Sequence, residues 1–219
     1  LSNLSAGDIL RQVLGVLGDG RETTLSNLVF MGMGEPLHNL QAVLRAVSIL
    51  GDPYGLGFGP RKITISTSGF VPGIEALGKS GLDVRLAVSL NAVTNELRSR
   101  LMPINRSYPL EVLIPALRRF PLGPRKRITI EYILIDGVND SEQDLEGLFS
   151  LLQGVRAKLN LIPYNPTPNL PFRTAPRERL ESWRLNLQRR GLQTNIRWSK
   201  GAEIDGACGQ LALSRKENG

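Results

Sequence analysis

The sequence predicts an α/β domain built on parallel strands. Three observations carry that prediction. Short β-branched runs alternate with amphipathic helical segments from end to end, the spacing between runs leaves room for a crossover helix, and glycine or polar residues follow the runs at their C-terminal ends. Repeated βα units imply right-handed crossovers and a barrel-like or open sheet of five or six strands.

Each element has its own signal. Ser5-Ala6-Gly7-Asp8 leads into Ile9, Val13, Leu14 and Leu17, an amphipathic helix with Ser5 as its N-cap. Residues 25–31 (LSNLVFM) read as a short apolar strand. Within 39–50, Leu40, Val43, Leu44, Val47 and Leu50 recur at helical spacing. Residues 62–67 (KITIST) are β-branched and read as a strand. A short helix is expected after Pro72, then a strand over 84–90 (VRLAVSL). A helix is expected over 110–119, with Arg98 and Arg100 on the segment before it. Residues 127–135 (RITIEYILI) form a strand, and 141–152 a helix capped by Asp140 or Ser141. A strand over 158–162 (KLNLI), a basic helix over 177–190 and a last strand over 194–198 complete the series. No linker, repeat or low-complexity tract marks a boundary, so 1–219 reads as one domain.

Composition narrows the partners. Hydrophobic residues make up 41% and charged residues 21%, which is globular rather than disordered. Lys plus Arg number 27 against 20 acidic residues, a net charge of +7. Such a balance points to a polyanion, of which nucleic acid is the usual one, or only keeps the protein in solution. No apolar run approaches the ~20 residues of a membrane span, and no signal peptide is visible, so a cytoplasmic chain is expected. His38 reads as a loop residue rather than a ligand. Arg197 and Lys200 either face RNA phosphate or are simply solvated. The one cysteine, Cys208, lies between small residues in Gly206-Ala207-Cys208-Gly209. It is either a packing residue or a reactive thiol.

Parallel sheets bind ligands at the C-terminal ends of their strands. The segment Met31-Gly32-Met33-Gly34-Glu35-Pro36-Leu37 places a carboxylate there that can hold an ammonium group or a ribose hydroxyl; a plain turn is the alternative. Later strands end in Ser66-Thr67-Ser68-Gly69, in Ser89-Leu90-Asn91-Ala92 and in Pro163-Tyr164-Asn165-Pro166. Four polar strand ends in succession suggest one ligand site.

These segments, together with Met102-Pro103-Ile104-Asn105, Asp136-Gly137-Val138-Asn139-Asp140, Asn160-Leu161-Ile162-Pro163 and Ala207-Cys208-Gly209-Gln210-Leu211, occur in an order that resembles the radical-SAM RNA adenine-C2 methyltransferases. The resemblance spans nearly the whole chain. It implies a radical-SAM partial (βα)6 barrel. It also implies that Gly34 and Glu35 hold the amino group of S-adenosylmethionine, and that Ser66, Ser89, Leu90, Asn91 and Asn165 line the same cofactor. Cys208 would carry the methyl group on its way to C2 of an adenosine in 23S rRNA and in tRNA. The implied partners are those RNAs and a reductase feeding a [4Fe-4S] cluster, with a monomeric enzyme.

The family's CxxxCxxC cluster motif is absent, as are a second cysteine and an upstream glutamate, so no metal ligand is expected in this chain. The chain is expected to begin just after the cluster loop, to lack the first barrel strand and an N-terminal accessory domain, and to be inactive by itself. Two alternatives remain: a non-catalytic paralogue that binds RNA or S-adenosylmethionine, and methylation at C8 instead of C2.

Overall fold

The computed structural model describes residues 2–18, 25–167 and 170–198. Helix α1 (Ala6–Leu17) starts where the sequence places it. The Ser5 hydroxyl accepts from the Asp8 amide at 3.1 Å, and the Asp8 carboxylate accepts from the Ser5 amide at 3.0 Å, a reciprocal capping box. The chain then alternates through β1 (Leu28–Phe30), α2 (Leu40–Gly51), β2 (Ile63–Thr67), α3 (Val71–Lys79) and β3 (Arg85–Ser89). It continues with α4 (Asn95–Leu101), α5 (Leu110–Arg119), β4 (Ile128–Leu134), α6 (Glu142–Leu151), β5 (Ala157–Pro163), α7 (Arg177–Arg189) and β6 (Thr194–Ile196). Of the two caps considered for α6, Ser141 is the one used, again in a capping box with Asp144. Helix α4 was not expected from the sequence, and β1 keeps only three residues of the strand expected over 25–31.

All six strands are parallel, and their order in the sheet is their order in the chain. Parallel neighbours joined in chain order call for right-handed crossovers, a rule that sets the connecting helices on one face. The strand registers then sort the side chains into two faces. Toward the helices point Ile63, Ile65, Leu86, Val88, Ile128, Ile130, Leu159 and Leu161, all essentially buried. The other face is polar. Ser66 lies level with Ala87, Thr129 and Lys158, and one step further up Ser89 lies level with Glu131, Asn160 and Asn195. At the top, Ile133 stands beside Ile162. Hydrophobic burial therefore fixes one face of the sheet and leaves the other free for chemistry.

The loops above β1 and β2 are held by close packing. A 3-10 turn, Pro36–Asn39, lies against α3 at Gly73. A Cβ at that position would come within 2.5 Å of Leu37 Cβ and 2.6 Å of Phe70 Cδ1. Only glycine lets the helix and the turn approach this closely. His38 of the same turn packs edge-on to Phe70, at 4.3 Å between ring centroids. Gly73→Ala should lower stability by about 1–3 kcal/mol through overpacking, although alanine is the better helix former by about 1 kcal/mol. Urea unfolding checks this; an unchanged or raised midpoint would mean that the contact is slack.

Candidate functional site

The sheet's C-terminal edge collects the loops that the sequence singles out. Glu35 ends the Met31–Glu35 segment as the N-cap of the 3-10 turn. Its Oε1 accepts from the Leu37 amide at 3.2 Å. Its Oε2 accepts from both the amide and the hydroxyl of Ser68, at 2.8 and 2.7 Å. The carboxylate is thus clamped between the tops of β1 and β2 while Oε1 retains lone-pair capacity for a cationic donor. Gly34, with φ at +106°, turns the chain into this position. Both residues border a cleft of about 390 Å³ between α1, β1 and the Met31–Pro36 loop.

Behind this carboxylate lies a buried arginine. Arg98, on α4, is completely shielded from solvent. Its Nη2 donates to the carbonyls of Ser68 (2.8 Å) and Ser89 (3.2 Å). Its Nε donates to the carbonyl of Leu90 at 3.1 Å, and Nη1 to Asn105 Oδ1 at 2.9 Å. Burial brings its pKa down to about 10, so the group stays charged at neutral pH. Asn105 is held in turn by its Nδ2 donating to the Ser99 hydroxyl (2.9 Å) and to Asn95. One guanidinium therefore ties the ends of β2 and β3 to the turn of Met102-Pro103-Ile104-Asn105.

A second buried hub joins β3 to β4. Asn139 Nδ2 donates to the carbonyls of Asn91 (2.8 Å) and Ile133 (2.7 Å), and its Oδ1 accepts from the Ile135 amide at 2.7 Å. The Tyr132 hydroxyl donates to the Asn139 carbonyl at 3.0 Å. Burial raises the Tyr132 pKa well above its ordinary value, with Asp144 and Asp140 adding to the effect. Asn91 takes a left-handed backbone, φ +59°, a conformation asparagine tolerates better than most residues. Its Oδ1 accepts from the Ile133 amide at 2.9 Å.

The expected site residues therefore divide. Gly34 and Glu35 sit on the cleft. Ser89, Leu90 and Asn91 present their backbone at the neighbouring strand end, but the Ser89 and Leu90 carbonyls are already taken by Arg98. Ser66 is 7% exposed and lies lower on the sheet; Ser68, two residues on, is the one that touches Glu35. Asn165 follows β5 at the same edge of the sheet. Cys208 and Lys200 lie outside the described residues. Arg197 is half exposed, and its Nη1 donates to Glu131 Oε1 at 3.0 Å, across the polar face. Sequence reasoning missed Ser68, Arg98, Asn105 and Asn139, although each stands in or beside a segment it had picked out.

A family model described as the Radical SAM superfamily matches residues 8–149, well over half of the chain. The chain belongs to the radical SAM superfamily. A dual-specificity RNA methyltransferase RlmN from Syntrophobacter fumaroxidans is 51% identical over 210 residues, covering 95% of this chain and 61% of that protein. A probable dual-specificity RNA methyltransferase RlmN from Moorella thermoacetica is 48% identical, covering 98% and 62%. The crystal structure of a radical SAM methyltransferase from Sphaerobacter thermophilus superposes with a TM-score of 0.90 at 47% identity, covering 95% of this chain and 62% of that one. The chain thus spans about three fifths of the length of the curated relatives it matches.

Radical SAM membership implies S-adenosylmethionine and a [4Fe-4S] cluster. The first fits the residues present: a fixed carboxylate with spare acceptor capacity on a cleft suits the ammonium group of an amino acid moiety. The second does not. A four-iron cluster needs several thiolates, the sequence holds one cysteine, and the described residues contain no group of three or more potential ligands.

Two tests follow from this geometry. Arg98→Met leaves the Ser68, Ser89 and Leu90 carbonyls without their shared donor, and should cost about 3–5 kcal/mol in urea unfolding. A wild-type midpoint would show that the strand ends hold without it. Glu131 is buried, which raises its pKa, and the Arg197 charge and hydrogen bond only partly offset this. A raised acid favours the folded state below its unfolded pKa and loses that contribution as pH rises through the folded value. As pH rises above the ordinary glutamate pKa of about 4, wild type should therefore lose stability relative to Glu131→Gln. The opposite trend would mean that the Arg197 pair outweighs burial.

Proposed function

We propose that the chain is the S-adenosylmethionine-binding core of a radical SAM RNA methyltransferase that modifies C2 of adenosine in 23S rRNA and in tRNA. The observation carrying this reading is 51% identity, over 95% of the chain, to a dual-specificity RNA methyltransferase. The +7 charge suits a nucleic-acid substrate. The reading includes a cytoplasmic, monomeric enzyme that receives electrons from a reductase. Among the described residues no helix is long and apolar enough to cross a membrane.

In this reading Glu35 accepts hydrogen bonds from the cofactor's ammonium group, and Ser68 holds the carboxylate in the orientation that meets it. Gly34 lets the loop turn without a side chain in the way. The strand-end backbone of Ser89, Leu90 and Asn91, with Ser66 and Asn165, lines the rest of the cofactor. Bound there, the cofactor would supply the methyl group and, in the complete protein, the hydrogen-abstracting radical. Cys208 would accept the methyl as a thioether, a role suited to sulfur because a thiolate is a strong nucleophile toward the cofactor's sulfonium-bound methyl, which departs from S-adenosylhomocysteine as the new C–S bond forms.

The test uses the complete protein with its cluster, prepared without oxygen, and reads methylated adenosines in digested RNA by mass spectrometry. Wild type should yield 2-methyladenosine. Cys208→Ala should abolish it and leave S-adenosylmethionine affinity unchanged, whereas Glu35→Gln should weaken that affinity roughly 10–100-fold, the worth of one charged hydrogen bond. A product methylated at C8 would correct the position. Methylation by the alanine variant would remove Cys208 from the mechanism.

A further inference from the structure

At the other end of the strands, away from the site, a cleft of about 330 Å³ opens beside the starts of β4 and β5 and the end of α7. Arg125, Lys126, Arg127, Arg156 and Arg190 all line it. Two of these charges are met internally. Arg190 grips Glu146 with both guanidinium nitrogens, at 2.5 and 2.8 Å, and Lys126 pairs with Asp83. Arg125, Arg127 and Arg156 have no carboxylate partner among the described residues. Arg156 is nonetheless aimed: its Nη1 donates to the Leu122 carbonyl at 3.2 Å, and its Nη2 to those of Gly123 and Lys126, at 3.1 and 3.3 Å. Arg125 takes a left-handed backbone, φ +61°, at the tip of the loop that presents it.

We propose that this cleft is a second RNA contact, binding backbone phosphates. The proposal rests on the RNA methyltransferase reading above. Arginine forks match phosphate oxygens two at a time; Arg125 and Arg127 are exposed to do so, and Arg156, held by backbone carbonyls, adds a third charge without an acidic partner among the described residues, leaving a local excess of positive charge. The ligand is phosphate rather than base: the cleft is lined by five cationic side chains and one aromatic ring, Phe149, over which the Arg190 guanidinium already sits at 3.8 Å from the centroid. A seven-residue strand such as β4 spans about 23 Å, less than one turn of a duplex, so a single folded RNA reaches both ends of the sheet. Contacts of this kind set the position of the RNA and carry no sequence information.

The test compares the complete protein with its Arg125→Gln/Arg127→Gln variant, both of whose mutated side chains are exposed. Binding to an unmodified tRNA transcript is measured by fluorescence anisotropy across a salt series. The control is Arg45→Gln/Arg61→Gln, which removes the same charge from exposed positions outside the cleft. Loss of two phosphate contacts should make the slope of log K against log salt shallower by about 1.5 and lower affinity roughly tenfold at low salt, with S-adenosylmethionine affinity unchanged. A wild-type slope and affinity in the cleft variant overturn the proposal and leave the methyltransferase reading standing. An equal loss in the control overturns it too, since overall charge would then account for the effect. A wild-type protein that neither binds nor methylates the transcript overturns the reading beneath it.

Discussion

The strand-end loops depend on one buried cation. Among the described residues Arg98 has no carboxylate partner; three backbone carbonyls and one asparagine oxygen surround it. Burying a charge is costly unless its donors are satisfied, so the geometry around this guanidinium is tightly constrained. The constraint passes outward. The Ser68 carbonyl is fixed by Arg98, and the amide and hydroxyl of the same residue fix Glu35. A half-buried carboxylate on the cleft is thereby oriented, through Ser68, by a fully buried charge.

The two faces of the sheet divide the labour. Burial of the isoleucines, valines and leucines under the helices stabilises the fold without reference to function. The opposite face carries Ser66, Ser89, Thr129, Glu131, Lys158 and Asn160, residue types a core would reject. Burial lowers the Lys158 pKa, helped by the neighbouring Arg85 charge. Glu131 and Arg197 neutralise each other across the same surface. Such a face is stable only where polar groups find one another, water or a ligand.

Periodicity made most of the fold legible. β-Branched runs gave the strands, and serine caps gave α1 and α6. What escaped was short or long-range. Helix α4 has seven residues, three of them charged, and no apolar stripe. An arginine in such a segment looks solvated; that Arg98 is buried follows only once carbonyls from positions 68, 89 and 90 have been brought together. Likewise, Glu35 stood out as a carboxylate at a strand end, but its choice of Ser68 over Ser66 is set by the loop path: Ser66 lies within β2, and Ser68 is just past its end, level with the carboxylate. Arg197 was legible as a cation and not as the partner of Glu131, which lies 66 residues away.

The sheet's strand order equals its chain order, and this bears on how the protein is made. From β2 onward each strand pairs with the one synthesised before it, across a helical crossover. No strand waits for a distant partner, so pairing avoids the largest loop-closure costs. During synthesis each new βα unit can settle on the edge left by the last, and the growing edge is covered as soon as the next strand emerges. An architecture suited to presenting one row of loops is also suited to assembly in the direction of translation.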